Sequence, residues 1–373
     1  MDDPMTPRHI ASFDPRTVPD PALAQELQRV QRGIGAATDG ASLRQASRDI
    51  QALVHRVVEQ MPAAELLTRI ISTLNDALTQ RVIAISSVDT QLDMVRWCWI
   101  SLGSEGRQEQ TLSSDQDNGI VFSGSGPADG LREMLLPLAC RINETLDACG
   151  FPLCRGQIMA SNPQWCLSLD EWRDRFTQWI IEGDPQALLN ASIFFDLRPL
   201  YGAHSLAHEL ADWLAVEASE NSRFLFQMTA NALRREAPLG MLRKFVVEKG
   251  GQFAGTIDLK LNGATLFVDA ARIYGLACGT RANNTADRLR LAAKSHRLHP
   301  SDVDQWINAF YFIQMLRLKN QHRNYTSFTE MHNHVDPNQL EAADRHALLD
   351  ALRQARTLQN RLALDYPGSS QGI

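Results

Sequence analysis

The densest polar cluster of the chain, residues 103–119, contains two aspartates with the spacing of a metal site. Asp115 and Asp117 are two residues apart, so in a strand their side chains point to the same side and can share divalent cations. Carboxylate oxygens suit Mg²⁺, which takes one or two carboxylates together with substrate phosphates. The spacing therefore predicts a magnesium site, and a solvated loop is the alternative.

Residues suited to binding phosphate precede this aspartate pair. Gly103 lets a ligand approach the backbone closely, and Ser104 can donate its hydroxyl and amide hydrogens to a phosphate at a helix start. Arg107 adds the forked donors of a guanidinium group, and Glu109 is placed to anchor Arg107 or the turn. We expect these four residues to form a nucleotide-binding loop.

Two other phosphate or metal motifs do not fit. An EF-hand loop starting at Asp115 would need Asp or Asn, then Gly, then Glu where the chain has Gly119, Ile120 and Gly126. The Walker A string G-x-x-x-x-G-K-[ST] does not occur in the sequence. The sequence thus excludes an EF-hand calcium site and a P-loop ATPase.

The polar cluster directly follows a predicted strand. Residues 95–102 are rich in aromatic and β-branched side chains and end at Gly103. Alternating helices and further strands are predicted up to about residue 200. The additional strands are expected at residues 115–122, 153–159 and 193–198.

Helical patterns dominate the remainder of the chain. Apolar residues recur at steps of three and four over residues 21–90 and again after Gly202 to about residue 365. Within the alternating region, Ser168 and Glu171 have the spacing of a capping box and predict a helix start. Three tryptophans recur every seven residues and indicate a packing stripe: Trp165, Trp172 and Trp179.

Composition limits the class of protein. The 373 residues are 44% hydrophobic and 21% charged, which predicts a globular chain of two or three domains. The net charge of −6 argues against long nucleic acid as a partner. Six cysteines without a CxxC pair, no signal-peptide pattern and no 18-residue apolar run lead us to expect a cytoplasmic protein that does not enter a membrane.

A Gly-Ser after one strand and an Asp-x-Asp on the next resemble the nucleotidyltransferase superfamily that includes DNA polymerase β. More closely, residues 103–111 together with residues 114–118 resemble the DUF294 family of nucleotidyltransferases. These are relatives of the protein uridylyltransferases and adenylyltransferases of nitrogen regulation. The resemblance extends over about residues 20–365.

The resemblance implies a third carboxylate on a later strand. Asp196, followed by Arg198 in the string Phe-Phe-Asp-Leu-Arg-Pro, matches it. Two Mg²⁺ ions, or Mn²⁺ in their place, would then be held by Asp115, Asp117 and Asp196, and Arg198 would join the nucleotide site. A buried structural Asp–Arg pair is the alternative for Asp196.

The resemblance also implies a helical C-terminal domain that binds the acceptor substrate. Lys260, Arg272 and Arg288 lie in segments similar to that domain and could reach a triphosphate or an acidic partner. Each could equally be a solvated charge on a helix surface.

Together these features predict an α+β protein with a polymerase-β-like core and a mixed sheet, flanked by N-terminal helices and a C-terminal helical bundle. The expected parts are a flexible arm (residues 1–20), a helical region (21–90), a nucleotidyltransferase domain (91–202), a substrate-binding domain (203–365) and a flexible tail (366–373).

The implied reaction is transfer of a nucleoside monophosphate from an NTP to an acceptor hydroxyl, with release of pyrophosphate. By resemblance, the acceptor is expected on a regulatory protein. Two alternatives are a non-catalytic nucleotide sensor on the same fold and a HEPN-like ribonuclease or toxin–antitoxin component. The last rests on arginine-to-histidine spacings at Arg290–His296 and Arg317–His322.

Overall fold

The computed structural model describes residues 20–61, 63–88, 90, 92, 94–240, 244–295 and 297–367. The predicted arm therefore lies outside the described residues apart from Asp20, and the predicted tail apart from residues 366 and 367.

Helices and short strands alternate along the chain. The helices are α1 (Pro21–Ala36), α2 (Gly40–Gln60), α3 (Ala64–Ser86), α4 (Gly103–Gly106), α5 (Ala128–Ala148), α6 (Leu169–Glu182), α7 (Pro185–Phe194), α8 (His204–Glu220), α9 (Ser222–Ala232), α10 (Thr265–Ala277), α11 (Thr285–Lys294), α12 (Pro300–Thr326) and α13 (Ala342–Asp365). The strands are β1 (Val95–Ser101), β2 (Asn118–Gly124), β3 (Cys166–Ser168), β4 (Arg198–Gly202), β5 (Ile257–Asp258) and β6 (His334–Val335).

The chain forms two compact units. The first comprises the described residues within 20–61, 66–175 and 193–211, and the second comprises those within 63–65, 176–192 and 212–367. A four-stranded mixed sheet lies in the first unit, while the second is built mainly from helices. This architecture confirms the predicted α+β class.

The sheet of the first unit has the strand order β3-β2-β1-β4. Strand β1 pairs antiparallel with β2 and β4, and β2 pairs parallel with β3. The prediction of a buried strand at residues 95–102 is confirmed, since Cys98, Trp99 and Ile100 are fully buried. The β1–β2 register pairs Ser101 with Asn118, so the polar cluster connects the adjoining ends of these two strands.

The other strand predictions were shifted or wrong. The strand expected at residues 115–122 begins only at Asn118, and the one expected at 193–198 is the end of α7 and a turn, with β4 starting at Arg198. Residues 153–159 form a loop rather than a strand. Strand β3 was not predicted, because its three residues are too few to show a period.

The helix start predicted from the capping box is confirmed at α6. The Ser168 amide donates to Glu171 Oε2 at 2.7 Å, and the Glu171 amide donates to Ser168 Oγ at 3.3 Å. Both partners thereby satisfy an amide that the helix itself leaves unpaired.

The predicted tryptophan stripe consists of buried packing residues. Trp165 and Trp172 stack with ring centroids 6.3 Å apart, and both pack against Phe194. Trp179 packs against Phe176 within the second unit. None of these three indole rings is an exposed platform for stacking a base.

The second unit is organised around buried helices. Helix α10 is buried along most of its length, from Leu266 to Ala277, and α12 extends over 27 residues. Strands β5 and β6 form a two-stranded antiparallel sheet that pairs Ile257 with Val335. Across the described residues, no helix has the length and apolar character needed to span a membrane.

A buried amide network attaches the start of β2 to α5. Asn143 Nδ2 donates to Gln116 Oε1 at 2.7 Å and to Asn118 Oδ1 at 3.1 Å, while its own Oδ1 accepts from the Ser161 amide at 3.1 Å. Gln116, Asn118 and Asn143 are each at most 2% exposed. Since Gln116 and Asn118 point inward, Asp115 and Asp117 are left on the outer side of the segment.

We predict that Asn143→Leu destabilises the first unit by about 2–3 kcal/mol, because it removes the side-chain partner of Gln116 Oε1 and of the Ser161 amide, and one of the two donors to Asn118 Oδ1. Urea unfolding checks this value. Glu144→Gln, at the adjacent exposed position of the same helix, should change the free energy of unfolding by less than about 0.5 kcal/mol. Equal effects of the two substitutions would contradict the structural importance of the network.

Candidate functional site

A tight turn follows β1 and forms one side of the site. Gly103 has φ +51°, a conformation that glycine adopts without steric cost. A Cβ atom at this position would lie 2.8 Å from Asp117 Oδ2. The Leu102 amide also donates to the Asp117 carbonyl at 2.9 Å, so the Gly-Ser turn and the second aspartate lie side by side.

Three donor atoms next to this turn could hold a cation. One ligand atom each from Asp115, Asp117 and Cys154 lies within 4.8 Å of the others. Asp115 is exposed, Asp117 is half-buried and Cys154 is buried, with its Sγ 3.5 Å from Asp117 Oδ1. Burial raises the pKa of the Cys154 thiol to about 11. Two hard oxygen donors and one sulfur suit a divalent cation.

Arg107 forms buried ion pairs at the end of the turn. Its Nη1 lies 2.5 Å from Asp196 Oδ2, and its Nε lies 2.9 Å from Glu109 Oε2. The side chains of Asp196 and Glu109 are 0% and 1% exposed. Glu109 thus anchors Arg107, and this arginine holds the polar loop against the segment that precedes β4.

Arg198 holds the other side of the turn. It donates from Nε to the Gly106 carbonyl at 3.2 Å and from Nη2 to the Glu105 carbonyl at 3.1 Å. Nη2 also lies 2.8 Å from Asp76 Oδ1, on helix α3. A Cβ atom on Gly106 would lie 2.0 Å from the Asp196 carbonyl oxygen, which shows how closely this turn packs.

Polar residues on the buried side of α3 complete the support of the loop. Ser72 Oγ accepts from the Gln110 amide at 3.2 Å, and Asn75 Nδ2 donates to Gln110 Oε1 at 3.3 Å. Gln108, whose φ of 56° is unusual for a residue with a side chain, donates from Nε2 to Asp76 Oδ2 at 3.4 Å. These contacts determine the path of the chain between Arg107 and Thr111.

Glu105 is a buried carboxyl group beside the turn. Burial, and next the neighbouring charge of Asp76, raise the pKa of Glu105 to about 8. Ser101 Oγ donates to Glu105 Oε1 at 2.9 Å. Burial thus favours the protonated form of the Glu105 carboxyl group.

Asp196 does not belong to the group of three donor atoms that contains Asp115 and Asp117. Asp196 lies in the turn between α7 and β4, rather than in a strand, and its carboxylate pairs with Arg107. The cation-binding group found among the described residues contains Cys154 instead. Asp196 thus forms a buried Asp–Arg pair, with Arg107 and not with Arg198, and its role as a metal ligand stays a prediction.

The basic residues expected from the second unit differ in exposure. Lys260 is exposed, whereas Arg272 and Arg288 are each only 2% exposed. Arg272 pairs with Asp269 at 2.7 Å, and Arg288 Nε donates to the Ala282 carbonyl at 2.7 Å. These two arginines are therefore not solvated helix charges, and their burial favours a structural role over phosphate binding.

Three residues of the site were missed at the sequence level. Cys154 belongs to a loop far from the aspartates in sequence, and no spacing signals its approach. Asp76 and Glu105 are acidic residues that fold into the interior. Of these three residues, only Asp76 has a feature in the sequence that could have indicated a role. It is a charged residue within a largely apolar stretch of α3.

Two family models match the chain. The first, described as "Putative nucleotidyltransferase DUF294", matches residues 48–186. The second, described as "Putative nucleotidyltransferase substrate binding domain", matches residues 222–366. The chain belongs to the DUF294 family of nucleotidyltransferases. No curated protein matches it.

Membership of the DUF294 family agrees with the resemblance expected from residues 103–118, and it makes the chain a transferase by family. The ribonuclease alternative gains no support from the second unit. Arg317 is buried and donates to Asn333 Oδ1 at 3.0 Å and to Gln314 Oε1 at 2.5 Å. His296, of the other arginine–histidine pair, lies outside the described residues.

We predict that Arg107→Gln destabilises the first unit by about 3–5 kcal/mol, because it leaves the buried Asp196 carboxylate without its ion pair. Arg56→Gln is the control, since the Arg56–Glu26 pair of the same unit is 44% and 33% exposed and should contribute less than about 1 kcal/mol. Urea unfolding of both variants measures the difference. A loss for Arg107→Gln no larger than for the control would argue against a structural pair.

We predict that Glu105 makes the protein less stable as the pH rises. Its folded pKa lies above the unfolded value of about 4.3, so its contribution is fully present in acid and is lost as the pH rises towards 8. The free energy of unfolding should fall by up to about 1.4 kcal/mol per pH unit in this range. Glu105→Gln should reduce this slope by the share of Glu105, as measured by urea unfolding in EDTA, while Asp76, whose pKa burial also raises, keeps its own share. An unchanged slope would contradict the raised pKa.

Proposed function

We propose that this chain transfers a nucleoside monophosphate from an NTP to a hydroxyl group on a protein, releasing pyrophosphate. Membership of the DUF294 family supports the class of reaction. The protein acceptor follows from the resemblance to enzymes that modify regulatory proteins.

One observation carries this proposal: the Asp117 carboxylate packs against Gly103. The cation ligands and the turn suited to phosphate binding are therefore adjacent. A cation at Asp115 and Asp117 and phosphate oxygens at Gly103 and Ser104 would then be close enough to contact each other.

The residues of this site have distinct proposed roles. Gly103 leaves room for the Asp117 carboxylate beside the turn, and the Ser104 hydroxyl donates to the β- or γ-phosphate. Asp115 and Asp117 hold Mg²⁺, or Mn²⁺ in its place. Such an ion supplies neutralisation of phosphate charge and lowers the pKa of the acceptor hydroxyl.

Arg107, Glu109 and Arg198 act in this proposal as positioning residues. Their guanidinium and carboxylate groups are engaged with the loop and with Asp196. We assign Asp196 to the same supporting role, since its carboxylate is 0% exposed. The two-ion arrangement expected from the resemblance depended on Asp196, so we propose a cation at the aspartate pair alone.

The second unit is proposed to bind the acceptor. The match to a substrate-binding domain over residues 222–366 supports this assignment. Lys260 is the exposed member of the predicted basic set and remains a candidate contact for an acidic acceptor.

A nucleotide sensor is the second candidate function. It is favoured by the engagement of the Asp196 carboxylate with Arg107, since a sensor does not need a third carboxylate at the cation site. Such a protein would bind an NTP with a divalent cation without transferring the nucleotide.

We predict transfer of label from an α-labelled NTP into a protein, with pyrophosphate release, when the protein is incubated with Mg²⁺ or Mn²⁺ and a cell lysate. Each NTP is tested with α- and with γ-label. Asp115→Asn and Asp117→Asn should each reduce the transfer at least about 100-fold, the upper range for losing even a second-shell partner of a metal. Asp174→Asn, an exposed aspartate on α6, is the matched control and should transfer normally.

The same assay separates the two functions. NTP binding that requires the aspartate pair, without transfer of α-label under any condition, would support the sensor and contradict the transferase. Transfer of γ-label would contradict both. Gly103→Ala, which places a methyl group against Asp117, should abolish NTP binding in either case.

A further inference from the structure

Cys154 lies inside the cation site that the two aspartates form. Its thiol is 3.5 Å from Asp117 Oδ1, and its ligand atom lies within 4.8 Å of those of both aspartates. Among the described residues, no other group of three histidine, cysteine or acidic side chains meets this criterion. The residue is 6% exposed, so the thiol is held in the site and not presented to solvent.

The loop that carries Cys154 is attached to the same segment as the aspartates. The Gln116 amide donates to the Pro152 carbonyl at 3.0 Å, and the Asn118 amide donates to the Ile158 carbonyl at 3.1 Å. The Cys154 amide donates to Met159 Sδ at 3.4 Å. The thiol and the carboxylates are thus positioned by one hydrogen-bonded framework.

Among the described residues, the third donor beside the aspartate pair is the Cys154 thiol and not a carboxylate. Asp196 is buried against Arg107, and β3, the strand beside β2, consists of Cys166, Leu167 and Ser168. The third donor of the group is therefore sulfur, which prefers softer cations than oxygen does.

We propose that Cys154 is a protein ligand of the Asp115–Asp117 site and makes it bind thiophilic divalent cations such as Zn²⁺ and Cd²⁺ more tightly than Mg²⁺. This inference rests on the proposed function for the identity of the site. On binding, a sulfur–metal bond forms, the S–H bond breaks, and the proton goes to solvent. Two carboxylates and one thiolate leave a fourth position of a tetrahedral ion open for a water or a phosphate oxygen.

Mg²⁺ and Zn²⁺ use different numbers of donors at this site. Mg²⁺ bonds to the two carboxylates and has little affinity for sulfur, so it leaves the thiol protonated. Zn²⁺ engages all three donors and competes with Mg²⁺ for the site.

The test is a titration of the full chain, without a histidine tag, with Cd²⁺, following the ultraviolet thiolate-to-cadmium charge-transfer band. Wild type should show the band, and Cys154→Ser should lose it. The ratio of Cd²⁺ to Mg²⁺ affinity should fall at least about 10- to 100-fold in this variant. Cys140→Ser, at an exposed cysteine, is the matched control and should keep the band. Asp115→Asn should weaken Cd²⁺ binding.

X-ray absorption spectroscopy of the Zn²⁺-loaded wild type is a second measurement that needs no variant. The spectrum should show one sulfur ligand together with oxygen ligands at the zinc ion. A Cd²⁺ band that persists in Cys154→Ser, or a zinc site without sulfur, would overturn the inference. Failure of the proposed function is recorded separately, as an absence of Mg²⁺-dependent NTP binding by wild type. Metal–sulfur bonding and nucleotide binding can therefore fail independently.

Discussion

Buried carboxylates must be paired, and this requirement shapes the loop between β1 and β2. Asp196 and Glu109 satisfy it with Arg107, and Asp76 satisfies it with Arg198, which also donates to two carbonyl groups of the turn. An unpaired charge in these positions would cost several kcal/mol, so the loop has little freedom to adopt another path. The catalytic geometry proposed for the turn depends on these charges, although they do not touch the phosphates in our assignment.

The aspartate pair depends on a second constraint, which is the alternation of side chains along residues 115–118. Because Gln116 and Asn118 are committed to the amide network of Asn143, Asp115 and Asp117 must face outward. The two buried amide side chains thus orient the two carboxylates towards the outer side of this segment. The same hydrogen-bonded framework carries Cys154, so the donors of the proposed cation site share one support, which is what preorganised binding of a metal requires.

The placement of charges also separates supporting residues from accessible ones. Asp196, Arg272 and Arg288 have residue types suited to a nucleotide site, yet each is at most 2% exposed. Asp115 and Lys260 remain exposed. Residue type does not separate the two groups, since each contains acidic and basic residues. The exposed fraction of the side chain is what separates them.

Local chemistry and family resemblance were enough to predict the α+β class, the buried strand β1, the capping box at α6 and the family. They were also enough to bring Gly103, Asp115 and Asp117 to attention, because a tight turn and a two-residue carboxylate spacing are short-range patterns. The loop at residues 153–159, the pairing of Asp196 with Arg107 and the approach of Cys154 to Asp117 were not foreseeable. The two contacts join residues 89 and 37 positions apart, and the loop is held by hydrogen bonds to residues 116 and 118. Such contacts are determined by packing and by the pairing of buried polar groups, which leave no periodic signal in the chain.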